Sequence, residues 1–276
     1  MKDFFKKFGI ELYSLVPISR CKIIKKYLLE KNGFDDSANA ILFLIPYRSG
    51  NLPVNLSVYA SVKDYHGFVS MLSCELDLYV KEKYPHGNFK LFADHSPIDE
   101  VHAACISGLG FIGDNGLLIN ERYSSFVFLA ECVTNLSADE LGIQAYPEVN
   151  VKECLHCGAC AAKCPCGCIK PSGATPKSEC LSAITQKKGE LTENEARLML
   201  DSGVIWGCDI CQNACPYTKN AEFTPIEYFN TDIITLLDSA TLNSLDDDAF
   251  TSRPFSWRGR GVVERNVRLY EGAKND

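Results

Sequence analysis

Residues 154–165 read CLHCGACAAKCP, and residues 207–216 read GCDICQNACP. The first run is C-x2-C-x2-C-x3-C-P, through Cys154, Cys157, Cys160, Cys164 and Pro165. The second is C-x2-C-x3-C-P, through Cys208, Cys211, Cys215 and Pro216, and Cys180 stands alone between the two. Eight of the fourteen cysteines thus fall into a spacing that iron–sulfur clusters use and little else explains.

A 4Fe-4S cubane needs four thiolates converging on one small inorganic core. Two-residue gaps let a tight loop aim three sulfurs inward. A three-residue gap turns the fourth away, so that in two-cluster ferredoxins it ligates the other cluster. Carried onto this chain, Cys154, Cys157, Cys160 and Cys215 would hold one cluster, and Cys164, Cys180, Cys208 and Cys211 the second. Pro165 and Pro216 end the local helix or turn beside each cluster. Zinc also uses C-x2-C pairs, but it has no need of a three-residue gap followed by proline, repeated twice. Disulfides fit less well, because close cysteine runs without a leader peptide suit a reducing compartment with metal. Cys166 and Cys168, just past Pro165, read as small residues filling a turn, with a redox-active or alternative ligand pair as the other reading. Cys21, Cys74, Cys105 and Cys132 lie among apolar residues and are expected in the core.

The chain has 276 residues, 46% of them hydrophobic, enough for one large domain and a smaller insertion. No apolar run reaches the length of a membrane span, and Pro46 interrupts the best candidate, residues 41–45. With no h-region and no twin-arginine start, the expected location is the cytoplasm. A net charge of −7 does not favour nucleic acid as a default partner. Apart from the two cysteine runs there are no internal repeats.

Residues 12–32 carry Leu12, Leu15, Ile23, Ile24, Tyr27 and Leu28 among lysines and predict one or two amphipathic helices. AILFLIP, residues 40–46, predicts a buried strand. Residues 59–84 predict a helix, with Phe68, Leu72, Leu76 and Val80 spaced by four. A strand is expected over 89–93, a helix over 98–107 stopped at Gly108, a strand over 125–129 and a further one over 132–136. Strands alternating with helices argue for an α/β core. The expected organisation is a core over 1–149, a cluster domain over 150–220 and a tail over 221–276. That tail turns basic, with Arg253, Arg258, Arg260, Arg265 and Arg268 interleaved with Phe255 and Trp257. It reads equally as a phosphate track with base stacking or as a structural segment, either a solvated surface helix or a tail folded against the cluster domain.

The second half of the core carries a more specific signal. DHSPIDE (94–100) is followed by GLGFIGDN (108–115), LLIN (117–120) and SSFVFLAE (124–131), with YASVKDYH (59–66) upstream. With CLSAIT around Cys180 and the second cysteine run, this resembles the epoxyqueuosine reductase family from about residue 40 to about residue 220. The resemblance implies an α/β (α+β) cobalamin-binding core with a ferredoxin-like double-cluster domain. It implies an oxidoreductase that reduces the epoxide of epoxyqueuosine in tRNA to queuosine, with two 4Fe-4S clusters and cobalamin as cofactors. An electron donor of flavodoxin or ferredoxin type would feed the clusters. The catalytic acid of the family's D-x-x-P motif falls on Asp94. Tyr65, His66, Pro97, Gly110, Phe111, Gly113, Leu118 and Asn120 would line the corrin.

The implied chemistry is coherent with these residue types. A carboxyl beside a corrin is desolvated, which raises its pKa and suits a general acid. Glycines let backbone approach a bulky planar ring. The G-x-G-x-x-G of residues 108–113 follows a helix rather than a strand, which excludes a dinucleotide fingerprint. Alternative readings are a corrinoid reductase of another small substrate, or an electron carrier without corrin. The sequence departs from the family pattern in carrying Asp114 for a lysine, Phe111 for a tryptophan, and Cys166 and Cys168 for small residues. It is also short for the family at both ends.

Overall fold

The computed structural model describes residues 1–143, 152–170 and 177–273. The expected boundary at 149/150 lies outside the described residues. The chain forms two compact units, each discontinuous in sequence: residues 1–46, 65–113 and 117–155 in the first, residues 47–64, 114–116 and 156–276 in the second.

The first unit is built on β2 (Asn39–Pro46), whose residues from Ala40 onward are all buried. A strand that is apolar on both faces must be covered on both and paired at both edges. On one edge β2 pairs with β1 (Tyr13–Pro17), Leu15 opposite Ile41 and Val16 opposite Ala40. On the other it pairs with β6 (Val127–Thr134), and β6 pairs in turn with β3 (Phe89–Phe92). The order is β1-β2-β6-β3, antiparallel throughout. Burying residues 41–45, each no more than 1% exposed, contributes about 1.5–3 kcal/mol per side chain.

Several sequence expectations change here. Residues 12–32 are not mainly helical: Tyr13–Pro17 is a strand, Ile18–Arg20 is a single 3-10 turn, and the α-helix is confined to Lys26–Lys31. The physical reason is the unfilled edge of β2, which the short apolar run SLVP satisfies better than a helix does. The two strand pieces expected over 125–136 are one continuous strand, β6. The helix expected over 59–84 breaks into Val58–Ser61 and Tyr65–Lys83, which fall in different units. The longer piece buries Phe68, Leu72, Leu76 and Val80, as their spacing predicts. Helix Glu100–Ile106 starts at Asp99, whose carboxylate accepts the His102 N–H at 3.2 Å, and chain direction changes at Gly108, φ +79°. It packs against β2 and β6 and also against the hairpin of β4 (Phe111–Ile112) and β5 (Leu118–Ile119). Of the cysteines expected in the core, Cys132 is buried, Cys21 and Cys105 are half-buried, and Cys74 is exposed.

The second unit consists of short helices around a core of Leu56, Ile205, Trp206, Leu237, Phe255, Val263 and Val267. The basic tail belongs to this core. Helix Arg260–Gly272 buries Val263, Asn266 and Val267. Asn266 Nδ2 donates to the carbonyls of Thr185 (2.7 Å) and Ile205 (2.9 Å). Arg260 donates to Leu242 and Leu245 carbonyls, Arg265 to that of Lys187, and Arg253 is buried. Arg260 and Arg265 are therefore internal ties rather than a phosphate track, and Arg253 is enclosed. Arg258 instead lies over the exposed Trp257 ring at 3.7 Å.

Gly207 precedes the second cysteine run with φ +71°, and a Cβ placed there would come within 2.0 Å of Ser57 Oγ and 2.6 Å of its Cβ. Gly207→Ala adds left-handed strain to that overlap. It is expected to lower stability by about 3 kcal/mol in urea denaturation. An unchanged midpoint would show that the Ser57 segment yields freely.

Candidate active site and cluster-binding loops

Asp94 follows β3 at φ +58°, a left-handed conformation that aspartate tolerates better than most residues. Its side chain is 70% exposed, with Oδ2 3.5 Å from His66 Nε2. His66 and Tyr65 open helix Tyr65–Lys83, and the Tyr65 ring stacks on Phe128 at 4.2 Å and 13°. Tyr65 also hydrogen-bonds Asp94. Two separate motifs, DYH and DHSP, thus meet at one carboxylate.

The expected upward shift of the Asp94 pKa is not what this environment produces. The hydrogen bond from His66, against a smaller desolvation and with added help from Tyr65 and the Lys25 charge, holds Asp94 below the ordinary carboxylate range. An exposed group that accepts hydrogen bonds in its ionised form is stabilised as the anion.

Sequence reasoning assigned no role to two further carboxyls. The Asp94 backbone N–H donates to Glu100 Oε1 at 3.3 Å. Glu100 interacts with Glu131, which is wholly buried on β6 and accepts a hydrogen bond from the Ser96 hydroxyl. Glu131 lies opposite Leu42 and Phe92, on a sheet face made of core residues. Burial first, and then Glu100, pushes Glu131 well above its ordinary value; burial and the nearby Asp94 push Glu100 up to about 7. Both residues close quoted motifs, DHSPIDE and SSFVFLAE. A glutamate breaking an otherwise apolar strand was the available signal.

The hairpin residues serve one another. A Cβ on Gly110 would lie 2.5 Å from the Ile119 carbonyl oxygen, so glycine is needed there for the β4–β5 approach. The Gly113 N–H donates to the Leu117 carbonyl at 2.9 Å. Asn120 Nδ2 donates to the Leu109 carbonyl at 2.7 Å, and Asn120 Oδ1 accepts from the N–H groups of Arg122 and Tyr123. Phe111 and Leu118 are buried, while Ile112 and Leu117 are exposed apolar side chains. Pro97 is a backbone anchor whose carbonyl accepts from Ile24 and Lys25.

In the second unit, helix Ala159–Lys163 packs against helix Ile210–Asn213, bringing the two cysteine runs together. The Cys211 thiol lies within electrostatic reach of Cys180 and Cys164, and Cys208 within reach of Cys211 and Cys180. The four cysteines assigned to the second cluster are therefore neighbours. Cys157, Cys160 and Cys215 lie in the same unit, whereas Cys154 falls at the end of the first. Between Cys208 and Cys211, the buried Asp209 accepts the Val58 N–H at 2.6 Å and Gln212 Nε2 at 2.7 Å, and burial raises its pKa to about 6. Asp114, the residue that replaces a lysine, pairs with His156 Nδ1 at 2.8 Å.

Residues 153–218 match the family model of the 4Fe-4S double cluster binding domain. An epoxyqueuosine reductase of Leadbetterella byssophila is 32% identical over 226 residues, 81% of this chain and 69% of the relative. The chain belongs to the epoxyqueuosine reductase family. A second member, from Lactococcus garvieae, is 34% identical over 221 residues, 78% of this chain. The present chain spans 60% of that relative's length. A solved epoxyqueuosine reductase with an epoxyqueuosine-modified tRNA-Tyr stem loop superposes with a TM-score of 0.75 at 22% identity, over 98% of this chain and 79% of that one. At that identity the likeness is one of fold. The match to the double-cluster domain agrees with the cysteine spacing, and the thiol-rich loops are the donor set that two 4Fe-4S clusters need. Among the described residues no helix is long and apolar enough to cross a membrane.

The raised carboxyl pair of this reductase-family core carries a sign that can be checked. A carboxyl with an elevated folded pKa binds its proton more tightly in the native chain. Stability is then greatest near the unfolded value and falls as pH rises towards the folded one, about 7 for Glu100. Glu131→Gln keeps the shape and removes one ionisation. Denaturation midpoints measured from pH 5 to pH 8 should fall less steeply in the variant, by on the order of 2 kcal/mol across that range. Parallel wild-type and variant curves would exclude the pair as the source.

Proposed function

We propose that this chain reduces the epoxide of epoxyqueuosine in tRNA to queuosine, with Asp94 as the proton donor. The observation that carries this reading is the meeting of Tyr65, His66 and Asp94 at an exposed carboxylate. It occurs in a chain of the epoxyqueuosine reductase family that also carries a double-cluster domain.

Removing an epoxide oxygen as water takes two electrons and two protons. Cys154, Cys157, Cys160, Cys215, Cys164, Cys180, Cys208 and Cys211 would hold two clusters, which would supply electrons one at a time from an external donor of flavodoxin or ferredoxin type. Cobalamin, when bound, would supply a cobalt centre for two-electron reduction. The hairpin fits such a ring: Ile112 and Leu117 offer exposed apolar surface, and the Gly110 backbone packs close to Ile119. Helix Glu100–Ile106 packs against this hairpin and, through Glu100, holds the Asp94 amide.

The protein's own work is to hold a proton at the right atom. His66 Nε2 faces Asp94 Oδ2, so a proton shared between them is available to the epoxide oxygen as the C–O bond opens, and solvent at this exposed site supplies the second proton as the oxygen leaves as water. The lowered pKa of Asp94 makes the pair, rather than an isolated carboxylic acid, the reservoir. The left-handed turn leaves the carboxylate exposed while Glu100 ties down its backbone. A tRNA substrate places the reaction in the cytoplasm.

The test uses anaerobically reconstituted protein, reductant, cobalamin and epoxyqueuosine-modified tRNA, with queuosine measured by mass spectrometry of the digested RNA. Asp94→Asn should lower turnover by about 10² to 10⁴-fold and leave cluster and corrin absorbance unchanged. Full activity in that variant would remove Asp94 as the acid. Corrin binding without queuosine formation by the unmodified protein would move the reading to another substrate. Failure to bind corrin would leave an electron carrier.

A further inference from the structure

Cys164 is one of the second cluster's assigned ligands, and hydrogen-bond donors converge on its sulfur. The backbone N–H groups of Cys168, Cys166 and Ile169 lie within reach of it. The Cys168 thiol lies 3.5 Å from it, sulfur to sulfur, and Cys168 is only 1% exposed. On a second ligand of the same set, the Asn115 side-chain amide lies within hydrogen-bonding reach of the Cys211 sulfur.

Two terminal ligands of one cubane bind different irons, so their sulfurs stand well apart. A sulfur in hydrogen-bond contact with a ligand is therefore poorly placed to be a second ligand of that cluster. The C-x3-C-P spacing gives the ligand role to Cys164. Cys168 is then the neutral thiol, and with Cys164 bound to iron as a thiolate, only Cys168 has a proton to share.

We propose that Cys168 and Asn115 are tuning residues for the cluster held by Cys164, Cys180, Cys208 and Cys211, donating S–H···S and N–H···S hydrogen bonds to two of its thiolates and raising its reduction potential. Hydrogen bonds to cluster sulfurs favour the reduced, more negative cluster, one of the main ways a protein sets this potential. The inference rests on the double-cluster assignment but not on the identity of the substrate.

The experiment is a potentiometric titration of the anaerobically reconstituted full chain, followed by electron paramagnetic resonance, with iron and sulfide counted in each variant. Cys168→Ala should retain both clusters and shift one midpoint to lower potential. Asn115→Ala should lower the same midpoint, and the double variant should lower it further. Cys168→Ser, which keeps a donor in place, should recover most of the shift, and it serves also if the alanine variant folds poorly. An unmoved midpoint in Cys168→Ala, or shifts on different clusters in the two variants, would overturn the proposal. So would loss of half the iron in Cys168→Ala, which would make Cys168 a ligand. Cys164→Ala provides the separate check: it should lose one cluster. Retention of both would refute the ligand assignment itself rather than the tuning.

Discussion

A strand with no polar face constrains everything around it. β2 offers apolar side chains in both directions, so the first unit must cover it twice and pair it on both edges. That requirement turns residues 13–17 into β1 and draws β6 into a single long strand. It also places Glu131 in the interior, because the β6 register sets it opposite Leu42 and Phe92. A carboxyl in that position keeps its proton more readily than in water. The helix covering this face brings Glu100 to it, and Glu100 in turn holds the Asp94 amide. The sheet thereby reaches the Asp94 turn through a short chain of hydrogen bonds.

Asp94 gains its character from contrast. Its backbone is held in a left-handed turn, yet its side chain stays exposed and pairs with His66. Close by, Glu131 is sealed from solvent. One carboxylate is favoured as the anion and the other two are favoured protonated. Environments that push neighbouring titratable groups in opposite directions are a recurrent feature of proton-transfer sites.

In the second unit, the metal-binding loops are short, and little regular structure supports them directly. Support comes instead from buried polar ties: Asp209 on the Val58 amide, Asn266 on the carbonyls of Thr185 and Ile205, and Gly207 packed against Ser57. Each joins segments far apart in sequence. The arginines of the tail take part in the same scheme, which is why a stretch that reads as a nucleic-acid track is largely spent inside the fold. Trp257 and Arg268 remain exposed, and the half-buried Arg258 lies over the Trp257 ring.

Much of this protein was legible in one dimension. The cysteine spacing named the clusters, because three or four residues of tight loop fix where a sulfur can point. The buried strand and the long helix were readable from local apolar patterns. The family was readable from motif order. What local pattern could not supply was anything set by a distant partner. The strand at residues 13–17 exists because β2 needs a neighbour. The break after Ser61 exists because its two sides belong to different units. The pKa of Asp94 depends on a histidine 28 positions upstream. The Glu100–Glu131 pair depends on strand register, and the Cys168 contact on how the loop after Pro165 closes. Spacing along the chain determined which atoms can bind metal. Only tertiary packing decided which groups are desolvated, which are paired and which face solvent, because those properties belong to neighbours in space.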